Sequence, residues 1–290
     1  MDSLVKTPGI SSEKWDRIIT SKRSWFDLNL ADVWRYRDLI YLFFRRDFVS
    51  TYKQTVLGPV WFILQPLLTT LAFALVFGQI AKMGTSSVPP FIFYMPGIVM
   101  WGLFSACLMR CSGVFSANAQ IFSKVYFPRL TVPIASVFSV LATFVLQFLM
   151  FLAFLLFFYL RGNDIRPGID VLTFPVLVLQ VCLMGIGFGC IVSSLTTRYR
   201  DLQMALSFGM QLWMYGSCIF YSRSQIDERY RWILDLNPVA PIIETFRNSF
   251  LGTGIVNYPE LGILTVVSLI IFAAGVAIFN QVEKDFADTI

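Results

Sequence analysis

The chain has 290 residues, 56% hydrophobic, 16% aromatic and only 14% charged, with a net charge of +5. A soluble domain carries about 25% charged residues, so an ordinary water-soluble globule is excluded. There is no histidine, the commonest general base and metal ligand, and no Gly-x-x-x-x-Gly-Lys-Ser/Thr loop to hold nucleotide phosphates.

Residues 1–54 are polar enough to lie outside a bilayer and too short to hold a large core. Within them, about 31–50, the pattern predicts an amphipathic helix. Val33, Tyr36, Ile40, Phe43 and Phe44 share one face, and Arg35, Asp38, Arg45 and Arg46 the other. Such a helix lies in the headgroup plane, as a simple surface anchor or as a docking element.

Six apolar stretches follow: Val56–Ile80, Phe91–Ala117, Val132–Leu160, Val171–Leu195, Leu202–Tyr221 and Leu261–Asn280. Each reaches the about 20 residues a helix needs to cross the hydrocarbon core. With no water to pair the backbone there, they should be helical. Pro66 predicts a kink in the first. The second carries Arg110, the one charge deep in any stretch. It reads either as a functional intramembrane charge or as a side chain snorkelling inward past Asn118. In the fourth, the Gly185–Gly189 spacing lets helices approach closely. Between the fifth and sixth, Trp232–Leu251 is half apolar but interrupted by Asn237, Pro238 and Pro241. A pair of re-entrant or interfacial helices fits, because irregular backbone cannot face lipid.

Six crossings put both termini on one side, with fifteen of the 23 Lys and Arg residues against seven opposite. The positive-inside rule makes that side the cytoplasm. The N-terminus is polar and the first apolar run begins late, so no cleavable signal is expected. The positive charge follows this topology rather than a nucleic-acid footprint. Cys107, Cys111, Cys182, Cys190 and Cys218 all fall in apolar stretches, without disulfide or metal-site spacing, and read as buried small hydrophobes.

No carboxylate lies within a stretch, which argues against a carrier coupled to protons or sodium. Nor is there a cluster of acids, bases or metal ligands for a membrane enzyme. What remains is polar and uncharged. Gln203, Ser207, Gln211, Tyr215, Cys218 and Ser222 recur along the fifth stretch at helical spacing. The first offers Gln65, Thr69 and Gln79, and the second Ser105, Ser112, Ser116 and Gln120. Polar faces in a bilayer either join helices or line a wet path. The length of this stripe, flanked by Trp213, Phe220 and Tyr221, favours a conduit. Amides, hydroxyls and rings without charge suit a sugar chain.

Three segments carry a family resemblance: YKQTVLGPVWFILQPLL (Tyr52–Leu68), KVYFPRLTVP (Lys124–Pro133) and LNPVAPIIETFRNSFLG (Leu236–Gly252). They resemble the permease subunits of ABC-2 type exporters, above all the group that exports O-antigen, teichoic-acid and capsule polysaccharides. The resemblance runs from about Trp34 to Glu283. It implies an all-α membrane protein with a cytoplasmic segment 1–54 and a six-helix domain over 55–283, with an outer re-entrant region at about 224–254. It implies a homodimer in the bacterial inner membrane, two cytoplasmic ATP-binding subunits that hold ATP and Mg, and a lipid-linked glycan as substrate. No cofactor in this chain and no nucleic-acid partner is expected.

In such permeases a coupling helix, here about 119–130, rests on the ATPase. Ser123, Lys124, Tyr126, Phe127, Pro128 and Arg129 match it. The channel would be lined by Gln65, Thr69, Phe73, Gln211, Tyr215, Phe220 and Tyr221. Arg198 and Arg200 would meet a pyrophosphate headgroup at the inner mouth, since guanidinium pairs well with phosphate. Arg110 matches no family motif. The alternatives are an ABC-2 exporter of small hydrophobic drugs or lipids, and a membrane enzyme acting on lipid-linked sugars.

Overall fold

Apolar sequence of this length satisfies its backbone internally, and among the described residues every regular element is helical. The structure, a computed structural model, describes residues 30–53, 56–82, 88–122, 124–125, 127–196, 199, 201–254 and 256–288. Two short helices open it, α1 (Leu30–Arg35) and α2 (Arg37–Tyr52). α3 (Trp61–Phe73) follows the turn Gly58–Val60 and continues as a π-helical segment, Ala74–Ile80. Next come α4 (Pro90–Ser112), α5 (Val114–Phe122), α6 (Thr131–Leu160) and α7 (Phe174–Thr196). The last four are α8 (Leu202–Tyr215), α9 (Glu228–Asp235), α10 (Val239–Leu251) and α11 (Tyr258–Asp288).

α7 is the centre, packed between α4 and α11. Glycine makes both contacts possible. A Cβ on Gly185 would lie 2.5 Å from the Cβ of Cys107, and one on Gly187 would lie 2.6 Å from the carbonyl oxygen of Ile271. The Gly185–Gly189 spacing therefore does serve close approach, with Gly189 against Cys111 one turn further on. We expect Gly189→Leu to separate α4 from α7 and to lower the amount of folded protein in membranes several-fold. Wild-type amounts would show that the two helices can part at no cost.

Residues far apart in sequence fix the direction of α11. Tyr258 bonds Asp170, and Gln180 donates to the Leu261 carbonyl at 3.1 Å and to Thr265 at 2.7 Å. Gly187 meets Gly275. Numbers rise together along both helices, so α7 and α11 run parallel.

The amphipathic helix is broken at Tyr36 into α1 and α2. Val33 and Phe43 are buried, while Trp34 and Tyr41 are exposed, and α2 lies on α6. Among the described residues five helices are long and apolar enough to cross a membrane: Gly58–Ile80, Pro90–Ser112, Thr131–Leu160, Ile169–Thr196 and Tyr258–Val282. The fifth predicted stretch is the exception. α8 stops at Tyr215, and the chain turns through Gly216 and Ser217 to Cys218, which has a φ of +54°. Gln203, Ser207, Gln211 and Tyr215 stay on the helix, but Cys218 is buried in the turn. One continuous polar helix face does not form. Asn237 and the buried Arg247, both from the following segment, hold the turn open.

Candidate functional site

Pro66 has no N–H, so the carbonyl of Phe62, one turn earlier in α3, loses its helix partner. Gln147 of α6 supplies the missing donor, its Nε2 bonding the Phe62 oxygen at 3.2 Å. Opposite, Gly102 and Ala106 of α4 present almost no side chain. The result is a cavity of about 380 Å³ beneath α3. Gln65, Thr69, Ser105 and Gln147 supply its polar groups and Phe73 and Trp101 its rings. Thr69 also donates to the Gln65 carbonyl at 2.9 Å, so its hydroxyl oxygen remains free to accept.

Three predicted lining residues, Gln65, Thr69 and Phe73, thus meet in this cavity. Phe220 is buried at its edge, with its ring 4.8 Å from Phe73 and 4.7 Å from Phe77. Tyr215 lies 5.6 Å from Phe220, and the Tyr221 hydroxyl donates to the Tyr215 carbonyl at 2.7 Å. Gln211 is exposed on α8 and does not line the cavity. Arg198 and Arg200 lie outside the described residues.

A smaller cavity of about 110 Å³ shares Gly102, Ala106 and Gln147 with the first and reaches Arg110. Arg110 is in the last turn of α4, where helix carbonyls favour a cation, and it is exposed. A charge in a span costs about 2.5–3.5 kcal/mol on insertion scales. Its side chain is thus both exposed at the helix end and part of this cavity's wall.

The turn after α8 is held by Asn237, expected only as an interruption of the following segment, and by Arg247, which no expectation named. Asn237 accepts from the Trp213 indole at 3.0 Å and from the Val239 amide at 3.0 Å, and donates to the Gly216 carbonyl at 2.6 Å. Arg247 of α10 is 1% exposed. Its guanidinium donates to the carbonyls of Cys218 (2.6 Å), Ile219 (3.1 Å) and Tyr221 (3.2 Å), and sits 4.1 Å over the Phe93 ring. A lone arginine in the apolar run of α10 is the sequence signal for it. Beyond the turn, Glu244 accepts from the Ser222 hydroxyl and the Arg223 amide. Arg223 pairs with Asp235 and, at 2.7 Å, with Glu260 at the start of α11. Burial pulls the Arg223 guanidinium down, but these two carboxylates outweigh it and hold it above its ordinary value.

At the other end of the bundle, only the first part of 119–130, where a coupling helix is expected, is helical. α5 ends at Phe122, and Pro128 keeps the next residues in turns. Phe127 and Pro128 are buried, the Phe127 ring packing 5.7 Å from Phe43 of α2 and 5.6 Å from Phe122. The Arg129 guanidinium lies over the Phe122 ring at 5.4 Å. Lys124 and Val125 are exposed, and Ser123 and Tyr126 lie outside the described residues. Phe127 therefore joins the connection between α5 and α6, an elbow in the chain, to α2 and points inward. All five cysteines are buried and unpaired, and no metal-ligating cluster occurs among the described residues.

Gln65 and Pro66 of the cavity belong to the first of the three segments that carry the family resemblance, and Asn237 and Arg247 of the clamped turn to the third. The chain is 30% identical over 253 residues to the O-antigen export system permease protein RfbA of Klebsiella pneumoniae, covering 87% of this chain and 94% of that protein. It is 27% identical over 263 residues to the RfbA of Myxococcus xanthus, covering 90% and 98%. With the polysialic acid transport protein KpsM of Escherichia coli it shares 23% identity over 248 residues, covering 83% and 92%. Residues 38–251, from the interfacial helix to the end of α10, match the ABC-2 type transporter family, and the chain belongs to it.

Proposed function

We propose that the chain is the permease subunit of an ATP-driven exporter that moves a lipid-linked, O-antigen-like polysaccharide across the bacterial inner membrane. The observation that carries this reading is the cavity under α3, where amides, hydroxyls and rings face a common space of about 380 Å³. Rings stack on the apolar faces of sugars, while Gln65, Thr69 and Gln147 exchange hydrogen bonds with sugar hydroxyls. The polysaccharide exporters among its relatives point to the same substrate class.

Six crossings follow if α8 and the turn beyond it together form the fifth. The parallel course of α7 and α11 requires the chain between them to return across the bundle. Gln203 touches Ser112 at 3.4 Å near one end of α4, and Arg223 pairs with Glu260 at the opposite end, where α11 begins. This supports both termini on the cytoplasmic side and α9 and α10 as the outer, re-entrant pair. α8 buries only Met210 fully and exposes Gln211, Leu212 and Tyr215, which suits packing against a second copy. Two copies would enclose the conduit, with two ATP-binding subunits beneath.

The exposed Lys124 is the described residue of the elbow best placed to meet an ATPase. Lys124→Glu is expected to leave the protein in the membrane but to cut ATP-dependent export several-fold. Wild-type export would remove it from that contact.

Loss of the chain should abolish surface polysaccharide and leave its lipid-linked form inside the cell. Unchanged surface polysaccharide with altered drug accumulation would favour the drug or lipid exporter instead.

A further inference from the structure

We propose that Arg110 is the binding site for the phosphate that joins the transported glycan to its lipid. This rests on the export reading and names a subsite within it. Among the described residues Arg110 is the only charged one lining either cavity. Among the described residues it has no hydrogen bond or ion pair, so its donors are open to a ligand.

The surroundings keep the guanidinium accessible from the cavity. Gly102, Ala106 and Arg110 are spaced by four and fall on one face of α4. The two small residues leave an open lane from Arg110 to Gln147, and a Cβ on Gly102 would meet nothing closer than the Gln147 oxygen at 3.7 Å. Beyond Gln147 the larger cavity is lined by apolar side chains and a few amides and hydroxyls, with no charge. One cation at the end where α4 finishes, followed by neutral amides and rings, complements a ligand with one anionic group and a neutral chain. A lipid-linked glycan has that layout. Guanidinium suits the anionic group because it can offer paired N–H donors to phosphate oxygens.

The same phosphate chemistry occurs in bulk anionic phospholipid, so the test separates the two sources. The full complex of permease and ATP-binding subunits is placed in nanodiscs with phosphatidylglycerol held constant. ATP hydrolysis is then followed while a lipid diphosphate-linked oligosaccharide is titrated in. Arg110→Gln should raise the concentration for half-maximal stimulation by about tenfold or more. Arg110→Lys, which keeps the charge but not the paired donors, should recover part of the response. An unchanged titration in Arg110→Gln overturns the assignment. So does a variant whose defect appears only when phosphatidylglycerol is varied. If wild type itself does not respond to the oligosaccharide lipid, the export reading falls. If Arg110→Gln does not assemble, Ala106→Leu narrows the lane beside an intact arginine. A raised half-maximal concentration there supports the site, and an unchanged one overturns it.

Discussion

Arg247→Met should all but abolish folded protein. Three consecutive-turn carbonyls, on Cys218, Ile219 and Tyr221, take their hydrogen bonds from this one guanidinium. They belong to a stretch that has left the helix, so no backbone N–H of a following turn replaces it. Each carbonyl left unpaired and buried costs about 1–3 kcal/mol. Three together rival the whole net stability of a typical domain, roughly 5–15 kcal/mol. Methionine fills similar volume and restores none of the donors. Lysine offers one ammonium in place of a planar fork, so Arg247→Lys should fall between the two. The check is the monodisperse fraction recovered after detergent extraction. Wild-type recovery of Arg247→Met would mean that the turn is held by packing alone.

The second large effect separates folding from transport. Gly102 faces the cavity, with only the Gln147 oxygen within 4 Å of a built Cβ. Gly102→Leu can therefore place its side chain in empty space without displacing backbone, unlike Gly187 or Gly189. Membrane amounts and association with ATP-binding subunits should be unchanged. Export of polymer should fall by on the order of tenfold or more, since a barrier raised by about 1.4 kcal/mol already gives tenfold. Normal export by a well-folded Gly102→Leu protein would show that the polymer travels elsewhere.

Length and composition alone made most of the helices legible. Long uncharged runs have one way to satisfy their backbone in lipid, so Val132–Leu160 anticipates Thr131–Leu160 within a residue. The run Leu202–Tyr221 is long enough to cross and carries no charge, yet its helix ends after 14 residues. What ends it are partners supplied by Asn237 and Arg247, about twenty or more positions away, and hydropathy along a single segment carries no record of them. The elbow shows the same limit in reverse. Phe127 sits in a motif read as facing a partner, but its burial against Phe43 depends on α2 folding back over α6. The cavity was half legible. Gln65, Thr69 and Phe73 stood out as polar and aromatic residues in a first span with Pro66. Gln147 was hidden in an otherwise apolar helix, and its role follows from the carbonyl that Pro66 frees on another element.

The central claim is that this polypeptide is half of a conduit without a motor of its own. Reconstitution into vesicles tests it, by measuring ATP hydrolysis and the movement of a labelled lipid-linked polysaccharide to the opposite leaflet. The purified chain alone should neither hydrolyse ATP nor move the polymer, and adding the ATP-binding subunits should start both. Nucleotide hydrolysis by the chain on its own, or polymer movement with no ATP-binding subunit present, would contradict the account.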